Sequence, residues 1–263
     1  MKLRLGITPY LNTKPLMYAL INGQVGHNFD LVFDTPSRLS ELLRQGKLDV
    51  SLVPAIEYAR GEGYAIIPDM AICATGHVKS VLLYYKDTIS DITNVALDDA
   101  SSTSAILVKI LLPRCFHTQP AYFKSASPMQ EIQGKANAAL LIGDQALIYS
   151  TQNGHFLDLG NAWYEYTSQP FVFAIFAVRP GIDLGDSLNI FRQAREWGLG
   201  HLDYIAGRES PGLGLSVKVC QDYITRRIRY DLEADKIRAL QTFYHLAYED
   251  GLIDREVNLK FYR

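Results

Sequence analysis

Short apolar runs alternate with helix-like segments over the first part of the chain. Apolar runs lie at 3–7, 31–33 and 49–53, and large apolar residues recur at helical spacing within 16–21 and 39–43. Strands that alternate with helices in this way predict a parallel sheet with helices packed on its faces. The pattern therefore predicts an α/β fold.

A second set of such units follows, and two β-rich runs separate it from the rest of the chain. Strands are predicted at 95–97, 121–123 and 138–142. The runs at 78–85 and 170–178 are long enough to cross between two lobes, and after Gly181 the pattern is helical to the end. We expect a clamshell with one lobe formed by 1–88 plus 178–263 and the other by 89–177. Such folds bind a small ligand between their lobes.

Composition excludes several classes of function. The chain has 263 residues and a net charge of −2, so no basic surface indicates nucleic-acid or membrane binding. No apolar run is long enough to cross a bilayer, and no secretory signal is visible. Cys73, Cys115 and Cys220 are odd in number and widely spaced, which favours reduced thiols in a cytoplasmic protein. The oligomeric state stays open.

Four consecutive hydroxyl residues, Ser101 to Ser104, precede a predicted apolar helix. Hydroxyl donors beside the free N–H groups of a helix start suit an anionic ligand. Ser and Thr are also common helix caps for purely local reasons. We weigh an anion anchor and a simple cap about equally here.

The turn at 9–16 is the second candidate site. Pro15 suits the first turn of a helix, and Asn12 or Thr13 can cap that helix. A turn that follows a strand of an α/β sheet lies where ligands bind. A plain helix cap is the alternative, and composition alone favours it.

Three further polar residues are candidates. Asp144, after Gly143 at the end of a buried strand, can accept a hydrogen bond from a substrate or cap the next helix. Ser80 is a small hydroxyl residue among large apolar neighbours and can face a cleft or be an ordinary strand serine. Glu57 is a possible acid–base group, although a carboxylate in a short helix is more often a solvated charge.

Metal and nucleotide motifs are absent from the sequence. The six histidines form no short-spaced pair with one another or with a cysteine. The chain contains no P-loop, no G-x-S-x-G and no dinucleotide-binding glycine motif before a helix. We therefore predict no metal and no cofactor.

Several segments resemble, in order, the menaquinone-biosynthesis proteins of the futalosine route, and most closely their chorismate dehydratase branch. The resemblance rests on residues 10–16 (YLNTKPL), 52–60 (LVPAIEYAR), 76–83 (GHVKSVLL), 102–104 (STS), 141–147 (LIGDQAL) and 170–174 (PFVFA). It implies the type II periplasmic-binding-protein fold, which agrees with the predicted clamshell.

The resemblance also implies an activity. Members of this branch are hydro-lyases that eliminate water from chorismate without a cofactor, giving 3-[(1-carboxyvinyl)oxy]benzoate. Asn12 and Ser80 are then the expected catalytic residues, and they would orient a substrate carboxylate that takes the ring proton. Gln169 stands where the family usually has an apolar residue. The residues expected to bind the substrate are Tyr10, Pro54, Ser101, Ser102, Thr103, Ser104, Gly143, Asp144, Gln169 and Phe171.

Three other functions remain as alternatives. A non-catalytic solute-binding or ligand-sensing protein could use the same fold and the same hydroxyl-rich helix start. The sister enzyme 1,4-dihydroxy-6-naphthoate synthase shares the fold, but the motifs at 10–16 and 53–60 favour the dehydratase branch. The expected partner in every case is a small molecule.

Overall fold

The structure is a computed structural model that describes residues 2–152 and 154–263. One sheet has six strands in the order β11-β4-β10-β3-β1-β2. Its strands are β1 (Leu3–Ile7), β2 (Phe29–Phe33), β3 (Val50–Pro54), β4 (Ala65–Ala74), β10 (Phe171–Val178) and β11 (Ile228–Arg229). Neighbours β1, β2 and β3 are parallel, whereas β10 runs antiparallel to β3 and to β4.

The other sheet has five strands in the order β7-β6-β8-β5-β9. Its strands are β5 (Val81–Tyr85), β6 (Asn94–Asp98), β7 (Ala121–Ser125), β8 (Ala138–Ile142) and β9 (Phe156–Asp158). The pairs β6–β7 and β6–β8 are parallel, and β5 is antiparallel to both of its neighbours.

Helices cover the two sheets. They are α1 (Lys14–Ile21), α2 (Pro36–Arg44), α3 (Ile56–Arg60), α4 (Ser102–Phe116), α5 (Pro128–Ile132), α6 (Gly143–Tyr149), α7 (Leu159–Thr167), α8 (Ser187–Gly200), α9 (Leu202–Leu213), α10 (Val217–Asp222) and α11 (Ala234–Glu249). A 3₁₀ turn at Leu11–Thr13 precedes α1, and a π-helical segment at Tyr223–Arg227 follows α10. Within the described residues, none of these helices combines the length and the apolar character that spanning a bilayer requires.

The predicted α/β clamshell is confirmed, because the chain forms two sheets, each with parallel strands and connecting helices. The central strands β3 and β10 are mostly apolar because neighbours cover both of their edges and helices cover their faces. All five residues of β3 are buried, and so is most of β10.

The places where the chain changes lobe differ from the prediction. Strand β5 pairs only within the five-stranded sheet and β10 only within the six-stranded sheet, so neither strand crosses. By sheet membership the chain passes between lobes at 75–80 and 168–170, rather than near 88 and 178. Lys79 and Ser168 lie in these connections with φ of 64° and 55°, a left-handed conformation that redirects the chain.

The end of the chain also differs from the all-helical prediction. The helix predicted over 217–230 stops at Asp222, and Ile228–Arg229 form an edge strand on β4. Pairing of Ile228 with Ala74 gives the backbone ladder hydrogen bonds that a helix would otherwise supply. As a result, the π-helical segment lies beside the junction of the two lobes.

Candidate active site

A cleft lies between the two sheets, at the ends of β1, β3 and β8. It is a partly open concavity at the place where a two-lobed fold binds its ligand. The residues that line it are Thr8, Tyr10, Asn12, Pro36, Leu52, Val53, Pro54, Ile72, Val78, Ser80, Val81, Ala100, Ser101, Ser102, Thr103, Ser104, Ile142, Gly143, Phe173, Ala174 and Ile228.

Most of the residues selected from the sequence line this one cleft, although they lie far apart in the chain. They are Tyr10, Asn12, Pro54, Ser80, Ser101, Ser102, Thr103, Ser104 and Gly143. Asp144, Gln169 and Phe171 are not among the lining residues. Sequence reasoning missed Phe173, which lies two residues after Phe171.

The cleft is lined by neutral groups. Among the described residues that line it, there is no Lys, Arg, His, Asp or Glu. The polar groups that face a ligand are therefore hydroxyls, one carboxamide and backbone N–H groups. An anion in this cleft would be bound by hydrogen bonds and the α4 dipole instead of by a salt bridge.

The start of α4 has unused hydrogen-bonding capacity. Ser101 occupies the N-cap position, but its side chain makes no capping hydrogen bond. Its Oγ is buried and has no partner in the described part of the chain, and the residue is only 5% exposed. The capping alternative is thus not realised at Ser101, and the first-turn N–H groups remain available. A buried hydroxyl without a partner is costly unless a ligand or water completes it.

Ser80 takes part in a hydrogen bond across the junction of the lobes. The Tyr223 hydroxyl donates to Ser80 Oγ at 2.7 Å, and both residues are buried. The backbone N–H of Gly143 donates to the Ser80 carbonyl at 2.9 Å, which fixes the Ser80 main chain. Asn12 lines the same cleft, and its Oδ1 accepts from the Thr13 hydroxyl at 3.3 Å. The two predicted catalytic residues therefore lie in one cleft, and Tyr223 holds one of them.

Asp144 supports the turn that carries Asn12. Its Oδ1 accepts from the backbone N–H of Leu11 at 2.9 Å, so its carboxylate is used neither as a helix cap nor as a wall of the cleft. Burial raises the pKa of the Asp144 carboxyl to about 6, and the Leu11 N–H only partly offsets this. The ring of Tyr10 packs on Gly143, where a Cβ atom would lie 3.1 Å from that ring and φ is 62°.

Three hydrogen bonds join the lobes around the cleft. The Leu11 N–H donates to Asp144, the Ile56 N–H donates to Thr103 Oγ1 at 3.1 Å, and Ser37 Oγ donates to the carbonyl of Asp99 at 2.8 Å. Each bond links the six-stranded lobe to the five-stranded lobe. The structure is therefore a closed form, and opening the cleft requires these bonds to break.

Comparison with known proteins identifies the family. The sequence profile named menaquinone biosynthesis matches residues 3–249. A chorismate dehydratase of Thermus thermophilus is 30% identical over 259 residues, which covers 91% of this chain and 93% of the relative. The chain belongs to the menaquinone biosynthesis family.

Solved structures confirm the fold of this family member. A protein of Archaeoglobus fulgidus has a TM-score of 0.78 at 19% identity, covering 96% of this chain and 98% of its own. The periplasmic aliphatic sulphonate binding protein of Escherichia coli has a TM-score of 0.68 at 17% identity, covering 100% and 92%. At these identities the likeness establishes the periplasmic-binding-protein fold alone.

Two of the residues expected to bind the substrate of this menaquinone-biosynthesis protein lie elsewhere. Phe171 is fully buried in the core, where its ring packs edge-on against Trp163 and Phe243. The Phe171 ring therefore packs in the core, and Phe173 lines the cleft in its place. Gln169 lies in the connection between α7 and β10, and its amide oxygen is buried without a hydrogen-bond partner in the described chain.

Glu57 is buried instead of solvated. It is 1% exposed and forms an ion pair with Arg44, away from the residues that line the cleft. Burial raises the pKa of this carboxyl, and Arg44 opposes the shift. Glu57 is therefore a structural carboxylate of α3 in this arrangement.

Three carboxylates near the end of the chain approach one another at a place where no metal motif was predicted. Ligand atoms of Asp231, Glu233 and Asp235 lie within 4.8 Å of one another. The ammonium group of Lys236 lies 2.5 Å from Asp231 and 3.2 Å from Asp235. Lys236 therefore already supplies the positive charge that this cluster needs.

Proposed function

We propose that this protein is a chorismate dehydratase, which converts chorismate to 3-[(1-carboxyvinyl)oxy]benzoate by eliminating water. The observation that carries the proposal is the meeting of Asn12 and Ser80 in one neutral cleft, with Ser80 held by the Tyr223 hydroxyl. The full-length relative that bears this name supports the same activity.

Substrate anchoring begins at α4. A substrate carboxylate placed at the start of this helix would accept from the first-turn N–H groups and from the unpartnered Ser101 hydroxyl. Ser102 and Ser104 supply further hydroxyls in the same wall of the cleft. The hydroxyl of Thr103 already accepts from Ile56, so binding there also reinforces the contact between the lobes.

The reaction removes one ring proton and one hydroxide, and the ring becomes aromatic. Aromatisation supplies the driving force, so the protein has to orient the ring, provide for the proton and assist the leaving hydroxyl. The described cleft wall contains no carboxylate or imidazole. We therefore assign the proton to the carboxylate of the substrate's own enolpyruvyl group, held in reach by the closed cleft.

Asn12 and Ser80 then have positioning and electrostatic roles. A carboxamide and a hydroxyl are not bases at neutral pH, but both donate hydrogen bonds. One would hold the enolpyruvyl carboxylate, and the other would donate to the departing hydroxyl as its bond to the ring breaks. Donors fixed before the reaction stabilise developing charge without reorganisation.

Closure and release complete the cycle. Opening at the connections 75–80 and 168–170 would break the three hydrogen bonds named around the cleft and admit the substrate. Re-closure would exclude water and strengthen each hydrogen bond to the substrate. We also propose a cytoplasmic location, which three free cysteines support.

The direct test is incubation of the purified protein with chorismate. We expect the ultraviolet spectrum to change to that of a substituted benzoate and the product mass to correspond to loss of one water. Asn12→Ala and Ser80→Ala should lower turnover by roughly two to three orders of magnitude, as loss of an oriented donor does in other enzymes. Binding without turnover would identify a solute-binding or sensing protein. Turnover of a cyclised futalosine alone would identify the sister enzyme.

A further inference from the structure

Tyr223 is a buried tyrosine at the junction of the lobes that sequence reasoning missed. It is 1% exposed and begins the π-helical segment Tyr223–Arg227, directly after α10. π-Helices are rare and occur mostly as single turns, which are frequent at functional sites. Tyr223 and Ile224 are the buried residues of this segment, and the Tyr223 hydroxyl needs a hydrogen-bond partner there.

The hydrogen-bond inventory of Ser80 limits where its proton can point. A serine hydroxyl has one proton and two acceptor lone pairs. Ser80 Oγ accepts from the Tyr223 hydroxyl at 2.7 Å, so this contact leaves the Ser80 proton free for another acceptor. Because Ser80 also lines the cleft, a bound ligand is the acceptor that lies within its reach.

The segment that carries Tyr223 is tied to the chain beside Ser80. Asp222 lies 3.7 Å from the ammonium group of Lys79 and accepts from Arg227 at 3.0 Å. Two successive residue pairs, 79 with 222 and 80 with 223, therefore hold the lobe connection against the end of α10. Burial raises the pKa of Tyr223, so its hydroxyl stays protonated and remains a donor at any physiological pH.

We propose that Tyr223 is a positioning residue for the dehydration. By donating to Ser80 Oγ it directs the Ser80 proton toward the substrate and holds the Ser80 side chain in one arrangement. This inference rests on the proposed function, since it assumes that Ser80 donates to the reacting substrate. Tyr223 itself lies outside the set of residues that line the cleft.

The first arm of the test is kinetic. Tyr223→Phe keeps the ring and removes only the hydroxyl, and we expect it to lower kcat roughly 10- to 100-fold with little change in KM, as residues that orient a functional side chain do. In a Ser80→Ala background the same substitution should have almost no further effect, because its action passes through Ser80. Tyr244→Phe is the matched control: Tyr244 is equally buried and donates to the Ala55 carbonyl at 2.6 Å. It should lose stability to a similar extent and keep kcat.

The second arm does not depend on turnover. In a high-resolution structure of Tyr223→Phe we expect Ser80 Oγ to occupy more than one rotamer, whereas one rotamer persists in Tyr244→Phe. If the wild type fails to dehydrate chorismate, the proposed function is wrong and the Ser80 rotamers still decide the role of Tyr223. An unchanged Ser80 would overturn the inference. So would a Tyr223→Phe effect that multiplies with that of Ser80→Ala, because Tyr223 would then act on the substrate independently.

Discussion

Asp49 is a buried carboxylate and Asp144 a partly buried one, and their pKa values are shifted in opposite directions. Asp49 accepts from the Arg4 side chain at 2.7 and 3.0 Å and from Arg179 at 3.2 Å. The Arg4 hydrogen bonds hold the pKa of Asp49 down to about 2. Within the described residues Asp144 has the Leu11 N–H as its sole hydrogen-bond partner, and burial raises its pKa to about 6. The difference arises from the partners, because both groups lose water.

The comparison shows how charge is distributed in this fold. Asp49, just before β3, pairs with Arg4 of β1 and with Arg179, just after β10. These two positive charges therefore stabilise one lobe. Around the cleft the described wall contains no charged side chain, and Asp144 lies just behind it. A neutral wall offers no fixed cation to bind an anionic substrate and no fixed base to remove a proton from that substrate. The substrate's own groups then carry the charge that the reaction needs.

The largest expected effect is at Asp49. Asp49→Asn should destabilise the protein by roughly 2–4 kcal/mol, because the substitution leaves two partly buried arginines without their carboxylate. The folded pKa lies below the usual value, so the stabilisation by Asp49 is present above about pH 4 and is lost as the pH falls toward 2. Urea denaturation at several pH values measures both effects. Asp30→Asn, an exposed carboxylate on β2, is the control and should change stability by less than about 0.5 kcal/mol.

The next effect concerns the hydroxyl-rich start of α4. Replacing Ser102, Thr103 and Ser104 together with alanine should weaken binding of a benzoate-type product analogue by roughly 1.5–3 kcal/mol, the usual range for hydrogen bonds to a charged group. Calorimetry at two salt concentrations measures the loss and should show little salt dependence in the wild type. Ser127→Ala, at the start of α5 outside the cleft, should leave affinity unchanged. If the triple substitution leaves the affinity unchanged, these hydroxyls contribute to the structure of the helix and do not bind the ligand.

The smallest expected effect is at Asp144. Its folded pKa is raised, so the favourable contribution is present below about pH 4 and is lost as the pH rises through 6. Asp144→Asn keeps an oxygen for the Leu11 N–H and removes the charge. We expect it to be more stable than the wild type by roughly 1–2 kcal/mol at pH 8, since one pKa unit corresponds to about 1.4 kcal/mol and the side chain is partly exposed. The two proteins should unfold at the same urea concentration near pH 4, and a constant difference across pH would contradict the assignment.

The sequence predicted those elements whose signals lie in residues close together along the chain. Apolar runs located most strands, and turns after strands located Asn12 and the Ser101–Ser104 helix start at one edge. The role of Tyr223 was not predictable, because its contact with Ser80 joins residues 143 positions apart. The segment around it has a helical pattern, and the two-residue strand β11 is too short to give a periodic signal. Phe171 belongs to a matching motif, but the rings that bury it come from α7 and α11.

The central claim is that no carboxylate of the protein takes the ring proton. The most direct measurement is the pH dependence of chorismate turnover by Asp144→Asn and Glu57→Gln, beside the wild type. We expect both variants to retain turnover and to bind the substrate. Any inflection near pH 6 that arises from Asp144 should be absent from Asp144→Asn and retained by Glu57→Gln. Complete loss of turnover in either variant, with binding intact, would assign the base to the protein and contradict the substrate-assisted mechanism.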